Sequence, residues 1–176
     1  MEQVIIVDES DNDIGIMDKM EAHATGTLHR AFSLFVFNSR GRLLIHKRAD
    51  GKYHSGGLWT NTCCSHQRPG ESLETSIHRR LVEEMGFDCE LKELFTMRYR
   101  AVLDNNTIEH ELDHVFAGVF DDDPDPDPAE VAAYAWIDRH VLLEDMGTNP
   151  DQYSYWFKLL LEKVISAISA PVGEVN

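Results

Sequence analysis

Glu71-Ser72-Leu73-Glu74-Thr75-Ser76-Ile77-His78-Arg79-Arg80-Leu81-Val82-Glu83-Glu84-Met85-Gly86-Phe87 is the stretch on which the fold turns. Ser72 is a good N-cap. Leu73, Ile77, Leu81 and Met85 then recur at helical spacing as one apolar stripe, and Gly86 stops the helix. Arg79, Arg80, Glu83 and Glu84 ride the polar side, where Arg80 and Glu84 lie one turn apart and share a face. Taken alone, this is a solvated face with an ion pair along the helix.

Outward from the helix, strands and helices alternate. Val4–Val7 reads as a short strand and Lys19–Ala24 as a helical turn. Phe32–Phe37 and Arg42–Lys47 are β-rich and flank Asn38-Ser39-Arg40-Gly41, a hairpin signal. Leu58–Thr62 is a further extended piece. Leu91–Ala101 and Glu109–Phe120 read as two long strands joined by the turn Asp104-Asn105-Asn106, and Tyr134–Ile137 as a last strand. Trp156, Leu159, Leu160, Lys163, Val164 and Ala167 outline a C-terminal amphipathic helix. Strands outnumber helices in mixed order, so the expected class is α+β, a sheet with helices on its faces. Asp121-Asp122-Asp123-Pro124-Asp125-Pro126-Asp127-Pro128 reads as a solvated loop rather than a calcium site, because no glycine turn organises ligands there.

The bulk numbers bound the rest. At 176 residues, 43% hydrophobic and 27% charged, the chain suits one soluble domain over 1–176, with an ordered core from about 4 to 168. No apolar run approaches the ~20 residues of a spanning helix. Met1-Glu2-Gln3-Val4 does not begin a basic-then-apolar signal. Of three cysteines, Cys63 and Cys64 are adjacent, poor geometry for a disulfide, so a reducing cytoplasm is expected. A formal net charge of −15 repels nucleic acid and anionic membrane, and no such partner is expected. An anionic ligand would need a pocket built locally from a few cations and metal.

One metal constellation is suggested by residue type. Glu109 and Glu111 are two apart in a strand and point to one face, where two carboxylates repel unless a cation lies between them. With His23, His29 and His66 they form a five-ligand set with room for a sixth. That suits octahedral Mn²⁺ or Mg²⁺ better than a closed tetrahedral Zn²⁺ site, with Zn²⁺ as the alternative. Nine histidines are present, so chance grouping is the competing account.

Measured back from Gly86-Phe87, the helix resembles the Nudix box, G-x5-E-x7-R-E-U-x-E-E-x-G-U with U a bulky apolar residue. Ser65 stands at its first Gly and Arg80 at a metal-binding Glu. A cation at that position removes a metal ligand and offers a donor fork to phosphate. A Mg²⁺-and-diphosphate helix is thereby kept while hydrolysis is impaired, and Glu84 is left as the best Mg²⁺ ligand.

Further segments carry a more specific resemblance: Glu21-Ala22-His23, Leu28-His29-Arg30, Lys47-Arg48-Ala49 with Lys52, Trp59-Thr60-Asn61-Thr62-Cys63-Cys64-Ser65-His66, Arg98-Tyr99-Arg100-Ala101 and Glu109-His110-Glu111. Together they resemble the type 1 isopentenyl-diphosphate Δ-isomerase family, a Nudix-fold branch, from about Val4 to the helix near Leu160. Gln67 departs from that family's usual Pro.

The resemblance implies a Nudix-like mixed sheet sandwiched between helices and an isomerase acting on a small prenyl diphosphate, as a monomer or weak homodimer. It implies that His23, His29, His66, Glu109 and Glu111 hold one divalent metal, and that Glu84 holds the Mg²⁺ that meets the diphosphate. Lys19, Arg48, Lys52 and Arg80 would bind the diphosphate. Cys64 and Glu111 would transfer protons, with Tyr99 assisting Glu111. Trp156 would face the reacting carbons as the C-terminal tryptophan of the site. The expected Cys64 is a thiolate whose pKa nearby metals and cations lower. Two other readings compete: a Nudix pyrophosphohydrolase, opposed by Arg80, and a non-enzymatic diphosphate-binding module.

Overall fold

The computed structural model describes residues 2–169; residue 1 and residues 170–176 of the expected 1–176 domain lie outside the described residues. The elements in order are β1 (Gln3–Val7), β2 (Asp13–Asp18), α1 (Lys19–Thr25), β3 (His29–Phe37), β4 (Arg42–Arg48), β5 (Trp59–Thr60), β6 (Cys63–Ser65), α2 (Leu73–Met85), β7 (Leu91–Val102), β8 (Ile108–Val119), β9 (Val131–Asp138), α3 (Arg139–Thr148) and α4 (Tyr155–Ser169). Short 3₁₀ turns lie at Asp104–Asn106 and Pro150–Gln152.

β3 is buried at every residue, so both its faces must be covered. Along one edge it runs parallel to β8, from His29 opposite Glu111 to Phe37 opposite Val119. Its other edge meets three strands in succession: β1 at His29, β6 at Phe32–Leu34 and β4 at Phe37. β7 extends the sheet beyond β8, β9 and β5 pair with β4, and β2 closes the β1 edge.

Alternation along β3 builds two cores. Phe32, Leu34 and Val36 pack with Phe116 against Ile77, Leu81 and Met85 of α2. Phe35 and Phe37 pack with Val115 against Leu142 of α3 and Phe157, Leu160 and Leu161 of α4. The mixed sheet therefore lies between helices, as the sequence leads one to expect. By the same alternation His29 and Ser33 continue the second face toward the start of β3, where apolar packing gives way to polar groups.

The stripe of α2 and its caps follow the sequence reading: Ser72 Oγ accepts from the Thr75 N–H at 3.0 Å, and Gly86 sits at φ +76°. α1 is capped by Asp18, whose side chain accepts from Met20 and Glu21 N–H.

Several expectations need correction. β2 escapes the sequence reading because Ile14 and Ile16 are exposed and leave no core signal. α3 escapes it because only Leu142 and Met146 of that helix are buried. The extended piece around Leu58–Thr62 is two strands, with a ladder at Cys63–Ser65. β9 begins at Val131, ahead of Tyr134.

The Asp-Pro run is not simply solvated. Its backbone docks on the end of α2: Asp125 N–H donates to Met85 O at 3.1 Å and Asp127 N–H to Glu84 O at 3.0 Å. These bonds satisfy carbonyls that the helix end leaves open. No described helix is long and apolar enough to cross a membrane.

Candidate active site

Four elements deliver one buried cluster. His23 comes from α1, His29 from the start of β3, His66 from just after β6 and Glu111 from β8. One ligand atom from each lies within 4.8 Å of the others, and all four residues are buried. His23 Nδ1 lies 2.7 Å from Lys19 O, and His29 Nδ1 lies 2.8 Å from Thr27 O. A carbonyl only accepts, so both Nδ1 atoms carry a proton, and the neutral ring of that tautomer presents its lone pair at Nε2. His29 Nε2 and His66 Nδ1 are buried without a hydrogen-bond partner. Burial holds His66 down at about 3, in its neutral, ligand-competent form. The Nε2 lone pairs of His23 and His29, with His66 Nε2 3.0 Å from Glu111 Oε1, make a buried donor set that fits a divalent cation.

Glu109 stands beside this group, outside its four atoms. Tyr99 Oη bridges the two strand carboxyls, 3.0 Å from Glu109 Oε2 and 2.7 Å from Glu111 Oε2. Their titrations are driven apart. Burial and the charge of Glu111 push Glu109 well up. For Glu111 burial acts upward too, but His29 and His66 outweigh it and hold it well down. Two buried carboxyls sharing one negative charge is the state that a divalent cation between them would relieve.

Cys64 reaches the same cavity from the other edge of β3, its strand paired at Ser33. Buried brackets position it. Asn61 Nδ2 donates to Leu34 O at 3.1 Å and to Cys63 O at 2.8 Å, and Thr62 Oγ1 donates to Leu44 O at 2.7 Å. Thr60 Oγ1 lies 2.9 Å from Ser154 Oγ, which ties the segment to the approach to α4. Gln67 holds the loop after His66: it accepts from Arg30 Nη1 at 3.0 Å and donates to Glu71 O at 2.6 Å.

The expected thiolate is not supported by the chain's own groups. Burial pushes the Cys64 thiol up, and the downward pull of Arg48 is too small to offset it. Cys63 is fully buried in the core under α2, its thiol 3.6 Å from Glu84 Oε2.

The four expected cations gather at this cavity, which is lined by Lys19, Arg48, Lys52 and Arg80 as well as by Cys64, Tyr99, Glu109 and Glu111. Arg80 Nη2 donates to Glu84 Oε2 at 3.0 Å, the ion pair foreseen on the helix face, but Glu84 is buried rather than solvated. The Arg48 guanidinium lies 5.2 Å from the Trp156 ring centre, and Trp156 Nε1 donates to Asn61 Oδ1 at 3.1 Å. Trp156 is thus cavity wall and core at once.

Four further residues belong to the site and were not foreseen. His54 Nε2 lies 3.4 Å from Glu109 Oε1, and its ring packs edge-on to Trp156. His46 Nε2 lies 3.4 Å from Glu84 Oε1. Tyr53 Oη lies 3.5 Å from His23 Nε2. Glu130 pairs with Lys52 and Arg80. Only Tyr53 and His54 had a signal, their nearness to Lys52; an irregular loop has no periodicity from which to place them.

Known proteins resemble this chain in sequence and in fold. The NUDIX domain family model matches residues 27–157. The isopentenyl-diphosphate Delta-isomerase of Burkholderia multivorans is 54% identical over 92% of this chain and 92% of its own. That of Pectobacterium atrosepticum is 49% identical over 92% and 90%. Among solved structures, DR0079 from Deinococcus radiodurans superposes with a TM-score of 0.77 at 17% identity, covering 92% of this chain and 98% of that one. A MutT protein from Methanosarcina mazei does so at 0.66 and 16%, covering 81% and 96%. These two likenesses concern the fold alone.

Proposed function

This chain belongs to the isopentenyl-diphosphate Delta-isomerases of the NUDIX family, and from that premise we propose how its residues interconvert isopentenyl and dimethylallyl diphosphate. The observation that carries the proposal is the pair Cys64 and Glu111, which enter one cavity from strands on opposite edges of β3, next to converging cations.

In the forward direction the terminal alkene carbon gains a proton, and the carbon between the alkene and the diphosphate-bearing methylene loses one. The unactivated alkene passes through, or near, a tertiary carbocation. An acid, a base on the other side and a dry pocket are therefore required. Cys64 and Glu111 hold the exchangeable protons, each acting as acid in one direction and base in the other. Tyr99 orients Glu111 through its 2.7 Å hydrogen bond. Trp156, buried in the cavity wall, excludes water and offers its ring face to positive charge.

Lys19, Arg48, Lys52 and Arg80 bind the diphosphate, and Glu84 would hold its Mg²⁺. His23, His29, His66, Glu109 and Glu111 would hold a second ion, Mn²⁺ or Mg²⁺, with Zn²⁺ as the alternative. When bound, these ions neutralise diphosphate charge and polarise Glu111. We further place residues 1–176 in one domain that works in the cytoplasm as a monomer or weak homodimer. Its net charge of −15 argues against a nucleic-acid or membrane partner.

Incubation with isopentenyl diphosphate and Mg²⁺ in D₂O, followed by NMR, should yield deuterated dimethylallyl diphosphate. Cys64→Ala and Glu111→Gln should each abolish that conversion, while Cys63→Ala largely spares it. Fast Mg²⁺-dependent phosphate release from a nucleotide panel without isomerisation would sink the reading.

A further inference from the structure

Two of the cations assigned to the diphosphate meet on a carboxylate. Glu130 lies one residue before β9, and its Oε2 forms an ion pair with Arg80 Nη2 at 3.0 Å while also pairing with Lys52 Nζ. Lys52 comes from the loop after β4 and Arg80 from α2, so one oxygen gathers groups from two separate segments. The backbone under Glu130 is held from both sides. Its carbonyl accepts from Ala49 N–H at 2.9 Å, and its N–H donates to Asp127 O at 3.0 Å. Asp127 is itself anchored to Glu84 O.

Burial would raise the Glu130 carboxyl, but Lys52 and Arg80 outweigh it and hold it down at about 2, so it is ionised at neutral pH. Glu130 lines an outer groove with Lys19, Lys52, Arg68 and Arg80, and does not line the inner cavity that holds Cys64 and Glu111.

Two ammonium- and guanidinium-bearing side chains at one mouth repel, and the four-carbon stem of lysine lets it leave for solvent. An anion fixed between them holds both heads converged before substrate arrives, which lowers the ordering cost of binding. We propose that Glu130 is a positioning residue for substrate binding, gathering Lys52 and Arg80 into the arrangement that meets a diphosphate and taking no part in proton transfer. The inference rests on the isomerase reading for its substrate.

The test uses the full chain loaded with Mg²⁺ and Mn²⁺. Steady-state kinetics with isopentenyl diphosphate would be measured for the parent protein, Glu130→Gln and Glu130→Asp. Binding of inorganic pyrophosphate with Mg²⁺ would be followed by calorimetry. Glu130→Gln should raise both KM and the pyrophosphate Kd roughly tenfold, with kcat within about twofold, and Glu130→Asp should recover part of the loss. In a Lys52→Ala background the cost of Glu130→Gln should shrink, because the partner through which it acts is gone.

Unchanged KM overturns the proposal. So does a lower KM, which would make Glu130 a competitor of the diphosphate, or an equal loss in kcat, which would place it in the chemistry. If the Gln variant does not fold, the Asp variant and the Lys52→Ala pairing with it carry the same decision. A chain that binds pyrophosphate in a Glu130-dependent way without isomerising would refute the isomerase reading and leave this inference standing.

Discussion

Tyr99 has one proton to give and two carboxyls within reach. A hydroxyl donates once, so one of Glu109 and Glu111 must bring a proton of its own. Burial and the charge of Glu111 push the Glu109 carboxyl up, which favours Glu109 as that group. Tyr99→Phe removes the bridge and leaves Glu111 less well oriented. We expect kcat to fall by about 10²-fold with little change in KM, read from steady-state kinetics; an unchanged kcat would reduce Tyr99 to a packing aromatic. At this scale the sequence was informative through residue type in a rare pattern. Cys64 stood out within Trp59–His66, but nothing there showed that Thr60, Asn61 and Thr62 are wholly buried brackets rather than contributors to chemistry. Their hydrogen-bond partners lie in β3, in β4 and next to α4, which no local spacing reveals.

The helix α2 and the Asp-Pro segment are one structural unit. Gly86 ends the helix in the left-handed region at φ +76°, and a Cβ there would clash with the Asp125 carbonyl oxygen. Gly70, at φ +85°, has open space around its Cβ position. Gly86→Ala combines backbone strain with a clash against main chain, and should cost well over ~1 kcal/mol, with Gly70→Ala costing less. Urea unfolding of both variants checks this, and equal costs would contradict the docking of the loop on the helix. The stripe and caps of α2 were legible because they repeat locally. β2 and α3 were not, because a strand with exposed isoleucines and a helix with two buried residues leave almost no periodic contrast.

Across the whole molecule, the candidate metal cluster joins α1, β3, β8 and the segment after β6. An ion that binds this folded arrangement and not the unfolded chain stabilises it by about 2.7 kcal/mol at a hundredfold excess over Kd. Divalent metal should therefore raise Tm, a chelator should lower it, and His29→Ala should abolish the difference in a thermal melt. A Tm indifferent to metal in the unaltered protein would argue against the cluster as a metal site. The acidic chain also builds its cationic pocket locally, with Lys19, Arg48, Lys52 and Arg80 drawn to one cavity against a net charge of −15. The sequence by itself determined the α+β class and the α2 helix with its Arg80 exchange, because these depend on periodicity and residue type along short stretches; the reacting groups proposed above came from the resemblance of its motifs to a family. Only the tertiary structure decided that Glu109 stands beside the four-atom cluster, that burial pushes the Cys64 thiol up, and that His46, His54 and Glu130 lie against the site. Each of these depends on which residues of distant segments become neighbours. The parallel register of β3 with β8 sets His29 against Glu111, and the burial of Cys64 across β3 pushes its thiol up.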